Sequence, residues 1–210
     1  ALKLRESDQR RARTYGMHFV DYFPHRELGI VFYNKKLYDQ AVKELEASLK
    51  MEKSAKAELY LDRVRKTFIE ERGLDKRPPD ISIKAPQQPL VTNAFFVTIE
   101  GVVKDDTFVR TIAVGNKTIR IDVSAPEIPF KVDIPVNQGE NRITVTTTDL
   151  SGKSSQSLIL VKVVRQGPVL RIDEPRDDEP TTGSSVLVKG YAFADPGLDE
   201  MIVNGRKISL

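Results

Sequence analysis

The apolar residues of the first third of the chain recur at intervals of three and four positions. Leu37, Ala41, Leu45 and Leu49 show this spacing, which places them on one face of an amphipathic helix. Pro24 suits the first turn of a helix, where its missing N–H would have no partner anyway. The pattern predicts four helices, at residues 4–22, 24–35, 38–51 and 54–71.

The spacing changes after a short linker, residues 73–80, in which two successive prolines end any helix and hold the chain extended. Beyond the linker, Val97 and Ile99 alternate with polar neighbours, and β-branched residues dominate. This pattern is typical of a sandwich of short antiparallel strands. We therefore predict a multidomain chain, α then β, with a helical domain at 1–76, a β-sandwich at 79–165 and a partial β module at 167–210.

An internal repeat relates the two β segments. When residues 79–121 are shifted by 89 positions onto residues 168–210, nine of the 43 aligned pairs are identical without a gap. Ordinary composition would supply about two or three such pairs. One module is complete and a second is begun, so we expect the natural protein to continue beyond Leu210. The identical pairs are Pro79/Pro168, Ile83/Ile172, Pro86/Pro175, Thr92/Thr181, Val97/Val186, Gly101/Gly190, Asp106/Asp195, Val114/Val203 and Ile119/Ile208.

Small and bulky residues occur in residues 25–48 at the positions that two crossing helices require. Gly29 and Ala41 would let two antiparallel helices approach closely, and Phe32, Tyr38 and Leu45 would fill the space around the crossing. Together with Leu28 they resemble a tetratricopeptide repeat (TPR). The departures from that pattern are His25, Ser48 and Lys53.

The TPR resemblance implies antiparallel helical hairpins that bind a protein or a peptide. We predict that this contact lies on the first helix of the repeat, away from Gly29. An equally supported alternative is that Ile30 and Tyr33 pack against the preceding helix. The predicted contact residues are Phe23, Arg26, Ile30 and Tyr33.

Three segments of the β half carry a second resemblance. They are the opening at 81–86, the strand at 97–101 and a hairpin at 137–153, in which Gly139 supplies a turn and Ile143 faces the core. These segments resemble bacterial immunoglobulin-like modules, including the domain B family of glucodextranase. The resemblance implies an Ig-like antiparallel β-sandwich followed by the first half of a second Ig-like copy. It also implies a periplasmic or cell-surface bacterial protein whose signal or anchor lies outside the chain.

Composition and charge narrow the choice of partners. The chain has no cysteine, which excludes disulfides and thiolate metal ligands. It has no run of eighteen apolar residues, so no transmembrane segment is predicted. Residues 1–78 carry a net charge of +5 and residues 79–210 carry −2. Basic residues in the first part alternate with acids at helical spacing, so solvated helix faces explain them better than binding of nucleic acid or anionic lipid.

No catalytic residue is predicted, because the motifs of serine hydrolases, zinc peptidases, P-loop proteins and dinucleotide-binding proteins are all missing. No cofactor or metal is predicted either. A metal site at His18 and His25 would need a further ligand, for which Asp21 or Glu27 could be proposed, whereas a helix-packing or surface role for the two histidines needs none. Calcium at Asp105–Asp106 or at residues 177–179 stays open as an alternative.

The sequence therefore predicts a non-catalytic protein-binding or scaffolding module of a bacterial cell-envelope protein. One alternative is a structural spacer that assembles through its sheet edges, with homo-association through the incomplete second module. Another is a polysaccharide-binding accessory domain of an enzyme. Against the latter, the chain has no Trp, and the sequence shows no exposed aromatic platform for stacking on sugars.

Overall fold

The computed structural model describes residues 6–84, 89–176, 178, 180, 182–195 and 197–208. The chain divides into two compact units. The first comprises Ala1–Pro86, Thr98–Ile134 and Arg142–Ile159, and the second comprises Gln87–Val97, Pro135–Asn141 and Leu160–Leu210.

The first unit begins with a β-hairpin, formed by β1 (Gln9–Arg13) and β2 (Phe19–Tyr22). Ala12 pairs with Val20 across it, and the turn contains Gly16 at φ 60°. The helix predicted over residues 4–22 is therefore wrong for the described part of that range. Glycine relieves the strain of a positive φ, and the aromatic and β-branched residues at 19–20 favour an extended strand.

Two helices form an antiparallel hairpin, α1 (Pro24–Asn34) and α2 (Tyr38–Met51). A Cβ atom at Gly29 would lie 2.7 Å from Cγ of Leu45 and 3.2 Å from the carbonyl oxygen of Ala41. Only glycine permits this approach without a shift of its neighbours, so the predicted crossing at small residues is confirmed.

The third helix, α3 (Ala55–Arg72), is capped at both ends. The Ser54 hydroxyl accepts a hydrogen bond from the Ala57 N–H at 3.1 Å, and Gly73 ends the helix in the left-handed conformation at φ 57°. The described residues contain three helices, and a tetratricopeptide array is not supported. The buried helical core consists of Ala41, Leu45, Ala57, Leu61 and Val64.

The β-sheet of the first unit is built around a long strand, β5 (Phe96–Val114). It pairs antiparallel with β3 (Asp80–Ile83), β6 (Lys117–Ile119) and β8 (Gly139–Asp149), and it also pairs with β7 (Ala125–Pro135). Alternate side chains of β5 and β8 are buried, as the alternating sequence predicts. Ile143 belongs to this buried set, and the turn from Asp149 to Lys153 leads into β9 (Ser154–Val163), both as predicted.

The second unit contains β4 (Leu90–Thr92), which pairs in parallel with the end of β9. Leu90 lies opposite Val161 and Thr92 opposite Val163. The sequence predicts an antiparallel sandwich, and this parallel pair departs from that prediction. The described residues of the range 79–164 form a mostly β, immunoglobulin-like fold, and this range is called the first copy from here on.

The second copy, residues 168–208, has short strands in the second unit. Their registers reproduce those of the first copy at the same shift of 89 positions. Ile83 pairs with Gly101 as Ile172 pairs with Gly190, and Val114 pairs with Lys117 as Val203 pairs with Arg206. The predicted repeat is thus visible in the strand pairing. The strands are β10 (Val169–Glu174), β11 (Lys189–Phe193), β12 (Met201–Val203) and β13 (Arg206–Ile208).

Candidate functional site

The four residues predicted to contact a peptide lie on the packed side of α1. Phe23 is only 4% exposed, and the guanidinium of Arg26 lies 4.0 Å from the centre of its ring. Tyr33 packs edge-on against Tyr60 of α3, with ring centres 6.2 Å apart. Ile30 is half-buried. Little of the Phe23 side chain is therefore exposed for the predicted partner contact.

The packed side of α1 contacts α3. This helix follows α1 in the chain and does not precede it. The Tyr33 hydroxyl lies 3.4 Å from the hydroxyl of Thr67, and Arg26 Nη1 lies 3.5 Å from Oγ of Ser54. These contacts connect α1 to α3 and the residue that caps it. Peptide binding by the partly exposed members, Arg26, Ile30 and Tyr33, stays a prediction.

Asp62 of α3 makes a buried polar contact with the segment that precedes β7. Its Oδ1 accepts hydrogen bonds from both the backbone N–H of Ser124, at 3.1 Å, and the Ser124 hydroxyl. Arg110 of β5 lies 3.5 Å from the other carboxylate oxygen. Asp62 and Ser124 are both buried, so each polar group is satisfied by the other instead of by water.

Arg65, one turn further along α3, contacts the same part of the sheet. Its Nη1 donates to the carbonyl oxygen of Ser124 at 2.7 Å, and its Nη2 donates to Glu46 at 2.9 Å. The guanidinium lies 4.4 Å from the ring centre of Phe108, within the range of a cation–π contact. Val123 adds an apolar contact to the helical core. Together with the Asp62 contacts, these interactions define the helix–sheet junction of the first unit.

A second contact joins the linker to the turn between β8 and β9. Lys153 Nζ donates to Asp75 Oδ1 at 2.7 Å, and the Asp75 side chain is almost fully buried. Burial alone would raise the pKa of Asp75, but hydrogen bonds from Lys153 and Ser151 lower it below its ordinary value. Asp75 is therefore held as a carboxylate.

Asp149 lies at the start of the same turn, and its pKa is shifted in the opposite direction to that of Asp75. Its Oδ1 accepts hydrogen bonds from the backbone N–H groups of Gly152 and Lys153, at 2.7 and 3.0 Å, while the buried Oδ2 has no hydrogen-bond partner. Burial, together with the negative charges of Asp75 and Asp105, raises the pKa of Asp149. Asp149 therefore favours its protonated form more than an exposed aspartate does.

Calcium was an alternative for the acidic turns, and Asp105 contributes a further buried oxygen without a partner, Oδ1. Its other oxygen accepts from the backbone N–H of Thr107 at 2.8 Å, as in a turn. Over the described residues, no three carboxylate or histidine side chains are grouped so as to hold a metal ion. In the second acidic run, residues 177 and 179 lie outside the described part of the chain.

His25 uses both ring nitrogens inside the helical part. Nδ1 lies 2.6 Å from Glu44 Oε2 of α2, and Nε2 lies 2.9 Å from the carbonyl oxygen of Glu6. Burial would lower the pKa of His25, but the hydrogen bond to Glu44 outweighs it together with that to Glu6, and the pKa is raised above 6.5. His18 is exposed on the β-hairpin. His25 therefore contributes to the packing of the helical part.

Two adjacent aromatic residues of the second unit are more exposed than the sequence suggested. Phe95 is 68% exposed and Phe96 is 61% exposed. The guanidinium of Arg165 lies 4.3 Å from the ring centre of Phe95 and is fixed by donating to the carbonyl oxygens of Ala94 and Val136. An exposed aromatic pair of this kind was missed because burial at the end of a strand depends on distant segments.

Among the described residues, no helix is long and apolar enough to cross a membrane.

Comparison with protein families agrees with the resemblance to the domain B family of glucodextranase. Residues 79–164 match the family model described as Glucodextranase, domain B. Bacillopeptidase F of Bacillus subtilis (strain 168) is 33% identical over 129 residues, which are 61% of this chain and 9% of that protein. The PII-type proteinase of Lactococcus lactis subsp. cremoris is 28% identical over 176 residues, 80% of this chain and 9% of that protein.

A PII-type proteinase of Lacticaseibacillus paracasei is 28% identical over 124 residues, covering 56% of this chain and 6% of its own length. The chain thus spans less than a tenth of each of these relatives. Among solved structures, a chain from the fibronectin(III)-like modules of Clostridium thermocellum CbhA aligns with a TM-score of 0.30 at 20% identity, over 41% of this chain and 46% of that one.

Proposed function

We propose that this chain is a non-catalytic scaffolding module of a bacterial cell-envelope proteinase. In this role the Ig-like first copy provides a rigid support, and the helices mounted on it present a surface for a protein or peptide partner. The module acts outside the cytoplasm, at the cell surface.

The helix–sheet junction is the observation that supports this proposal. Asp62 and Arg65 of α3 contact Ser124 through the backbone N–H, the hydroxyl and the carbonyl oxygen, and Phe108 lies under Arg65. A flexible tether between two independent domains would not need buried polar groups that pair with each other, as Asp62 and Ser124 do. The helices are therefore held in a fixed orientation on the sheet of the first unit, as a scaffold requires.

The relatives support the proposal that the module belongs to a proteinase. Their names describe proteinases, and the matched segments are short parts of long proteins. The family matched by residues 79–164 is itself named as one domain of an enzyme, glucodextranase. An accessory role beside a catalytic domain accounts for both similarities.

The first test is chemical. The purified chain should neither cleave casein nor be labelled by a fluorophosphonate probe, which reacts with activated serines. Subtilisin, treated in parallel, serves as the positive control. Stoichiometric labelling of this chain, or cleavage that a serine-protease inhibitor abolishes, would disprove the non-catalytic assignment.

The second test addresses partner binding by α1. Arg26→Gln and Tyr33→Phe remove polar groups while keeping most of the packing against α3, and Lys35→Gln on the exposed end of α1 is the matched control. We expect the first two substitutions, and not the control, to weaken binding of a peptide from the parent proteinase. If all three variants bind the peptide equally, the contact does not lie on this side of α1.

A polysaccharide-binding accessory domain is the second candidate, and the exposed pair Phe95 and Phe96 favours it. Aromatic rings stack on the apolar faces of sugars, and Arg165 holds the Phe95 ring in place. Retention on insoluble cell-wall glycan that is lost in Phe95→Ala, but kept in Phe19→Ala on the first hairpin, would support this function. Lack of retention on such glycans would exclude it.

A further inference from the structure

The segment that leads into the first hairpin is bound to the start of α1. This segment, residues 6–13, is called the strap from here on. The carboxylate of Asp8 accepts hydrogen bonds from the backbone N–H groups of His25 and Arg26, at 3.0 and 3.3 Å. The N-cap residue of α1 is Phe23, which offers no side-chain cap. The buried carboxylate of Asp8 therefore supplies the cap that α1 itself lacks.

The strap also contacts the loop between α2 and α3. Arg10 Nη2 donates to the carbonyl oxygen of Lys53 at 2.7 Å, and Arg10 Nε lies 3.7 Å from Oε1 of Glu52. Further along, the side chain of Ala12 is fully buried. The strap thus connects the first turn of α1 to the loop that follows α2.

His25 makes this attachment depend on a proton. Its Nδ1 lies 2.6 Å from Oε2 of Glu44 in α2, and its Nε2 lies 2.9 Å from the carbonyl oxygen of Glu6 in the strap. A carboxylate and a carbonyl oxygen both accept hydrogen bonds, and a neutral imidazole carries only one N–H. The neutral ring would therefore place a nitrogen lone pair against one of the two oxygens, whereas the imidazolium donates to both.

The charges that face the ring favour the imidazolium. They are the carboxylates of Glu44, from α2, and of Asp8, from the strap, and both attract a positive charge. On α1 itself, the neighbouring Arg26 and Glu27 form an ion pair with each other. The pKa of His25 is raised above 6.5 although burial alone would lower it, in agreement with the geometry.

We propose that the strap is a pH-sensitive device, in which protonated His25 holds residues 6–13 against α1 and α2 and loss of the proton breaks the contact at Glu6. The opening is local, because the buried helical core does not include the strap. When the strap opens, it uncovers the first turn of α1, including the N–H groups that Asp8 caps. The proposal does not depend on the proposed scaffolding function, since it rests on contacts within the helical part alone.

The experiment uses the full chain labelled with ¹⁵N, and NMR follows the two ring nitrogens of His25 between pH 5 and 9. We expect both nitrogens to carry a proton at pH 5.5 and one of them to lose it as the pH rises above 6.5. Hydrogen exchange, corrected for the intrinsic effect of pH on exchange, measures the opening of the strap. The protection of the strap amides should fall about tenfold between pH 5.5 and 8.5, as expected for the loss of one charge-assisted hydrogen bond.

Two variants and one helix serve as controls. In His25→Gln, the strap should be as open at pH 5.5 as it is in the unchanged chain at pH 8.5, because an amide does not titrate in this range. His18→Gln removes the exposed histidine of the hairpin and keeps His25, so the change in strap protection should persist. The amides of α3 should change their protection by less than about twofold, since the opening is local.

Three results would overturn the proposal. The first is a His25 ring that is neutral at pH 5.5. The second is a strap whose protection is the same at pH 5.5 and 8.5, or changes in His25→Gln as it does in the unchanged chain. The third is a parallel loss of protection in α3, which would show that the whole helical part loosens and not the strap alone.

Discussion

Asp62 and Ser124 satisfy each other across 62 positions of sequence, through two hydrogen bonds that end on one carboxylate oxygen. Both residues are buried, and they join α3 to the segment between β6 and β7. The pair is therefore the most informative place at which to test whether the helices and the sheet unfold together.

Asp62→Ala should destabilise the chain by about 2–4 kcal/mol, because it leaves a buried N–H and a buried hydroxyl unpaired. Asp62→Asn keeps an acceptor oxygen and should cost about 1 kcal/mol. Urea unfolding followed by circular dichroism measures both values. Asp21→Ala, which removes an exposed carboxylate from β2, should change the stability by less than about 0.5 kcal/mol. Equal effects at positions 62 and 21 would contradict the importance of the junction.

Gly29→Val should destabilise the helical hairpin by about 2–3 kcal/mol, since the added side chain would overlap Leu45 and the carbonyl of Ala41. Neither neighbour can move far, because both belong to the buried helical core. The unfolding midpoint in urea reports the effect. Gly167→Ala is the control, because no heavy atom lies near the position of its Cβ. A variant Gly29→Val as stable as the unchanged chain would show that α1 and α2 can separate at low cost.

The sequence predicted α1, α2 and α3 closely because their apolar residues keep helical spacing over ten or more positions. It failed at residues 9–22, where a hairpin depends on one turn at Gly16 and on the burial of Ala12 by other segments. Short segments have weak local preferences, and tertiary contacts decide their conformation.

The strand registers of the two copies followed from the repeat, but the helix–sheet junction did not. Asp62, Arg65 and Ser124 are ordinary polar residues in the sequence, and only the folded chain brings them together. Likewise, the buried carboxylates at positions 75 and 149 come from segments more than seventy residues apart. Contacts at such separations have no local signal in a single sequence.

The two buried carboxylates, Asp149 and Asp75, predict opposite changes of the chain's stability with pH. The native state holds the proton of Asp149 more tightly than the unfolded state does, because its pKa is raised above 3.8. The contribution of Asp149 to stability therefore falls as the pH rises from 3.8 through its native pKa. Asp149→Asn keeps the acceptor for Gly152 and removes the buried charge, so it should be more stable than the unchanged chain at pH 7 and lose this advantage near pH 3.

Asp75 should show the reverse, because its pKa is lowered by Lys153 and Ser151 despite burial. Its contribution is present above the ordinary value of 3.8 and is lost as the pH falls through the lower native pKa. Asp75→Asn should cost about 1–3 kcal/mol at pH 7 and less in acid. Urea midpoints between pH 3 and 7 compare the two variants. Parallel pH profiles would refute the assignment of opposite charge states.

The His25–Glu44 pair predicts a further dependence near neutral pH. Because the pKa of His25 is raised above 6.5, its contribution is complete below 6.5 and is lost as the pH rises through the native pKa. His25→Gln should therefore be less stable than the unchanged chain by about 1 kcal/mol at pH 5.5, and the gap should narrow by pH 8.5. His18→Gln removes the other histidine at an exposed position and serves as the control. An unchanged pH profile in His25→Gln would mean that the contact between His25 and Glu44 does not contribute to the stability of the chain.

The constant offset of 89 positions between equivalent strand pairs has a genetic consequence. An unequal exchange between the two repeats that inserts one repeat length at equivalent positions from β3 to β6 would keep the pairing of β3 with β5 and of β5 with β6 in register. A module could thus be added in one recombination step without an intermediate in which these strands are mispaired.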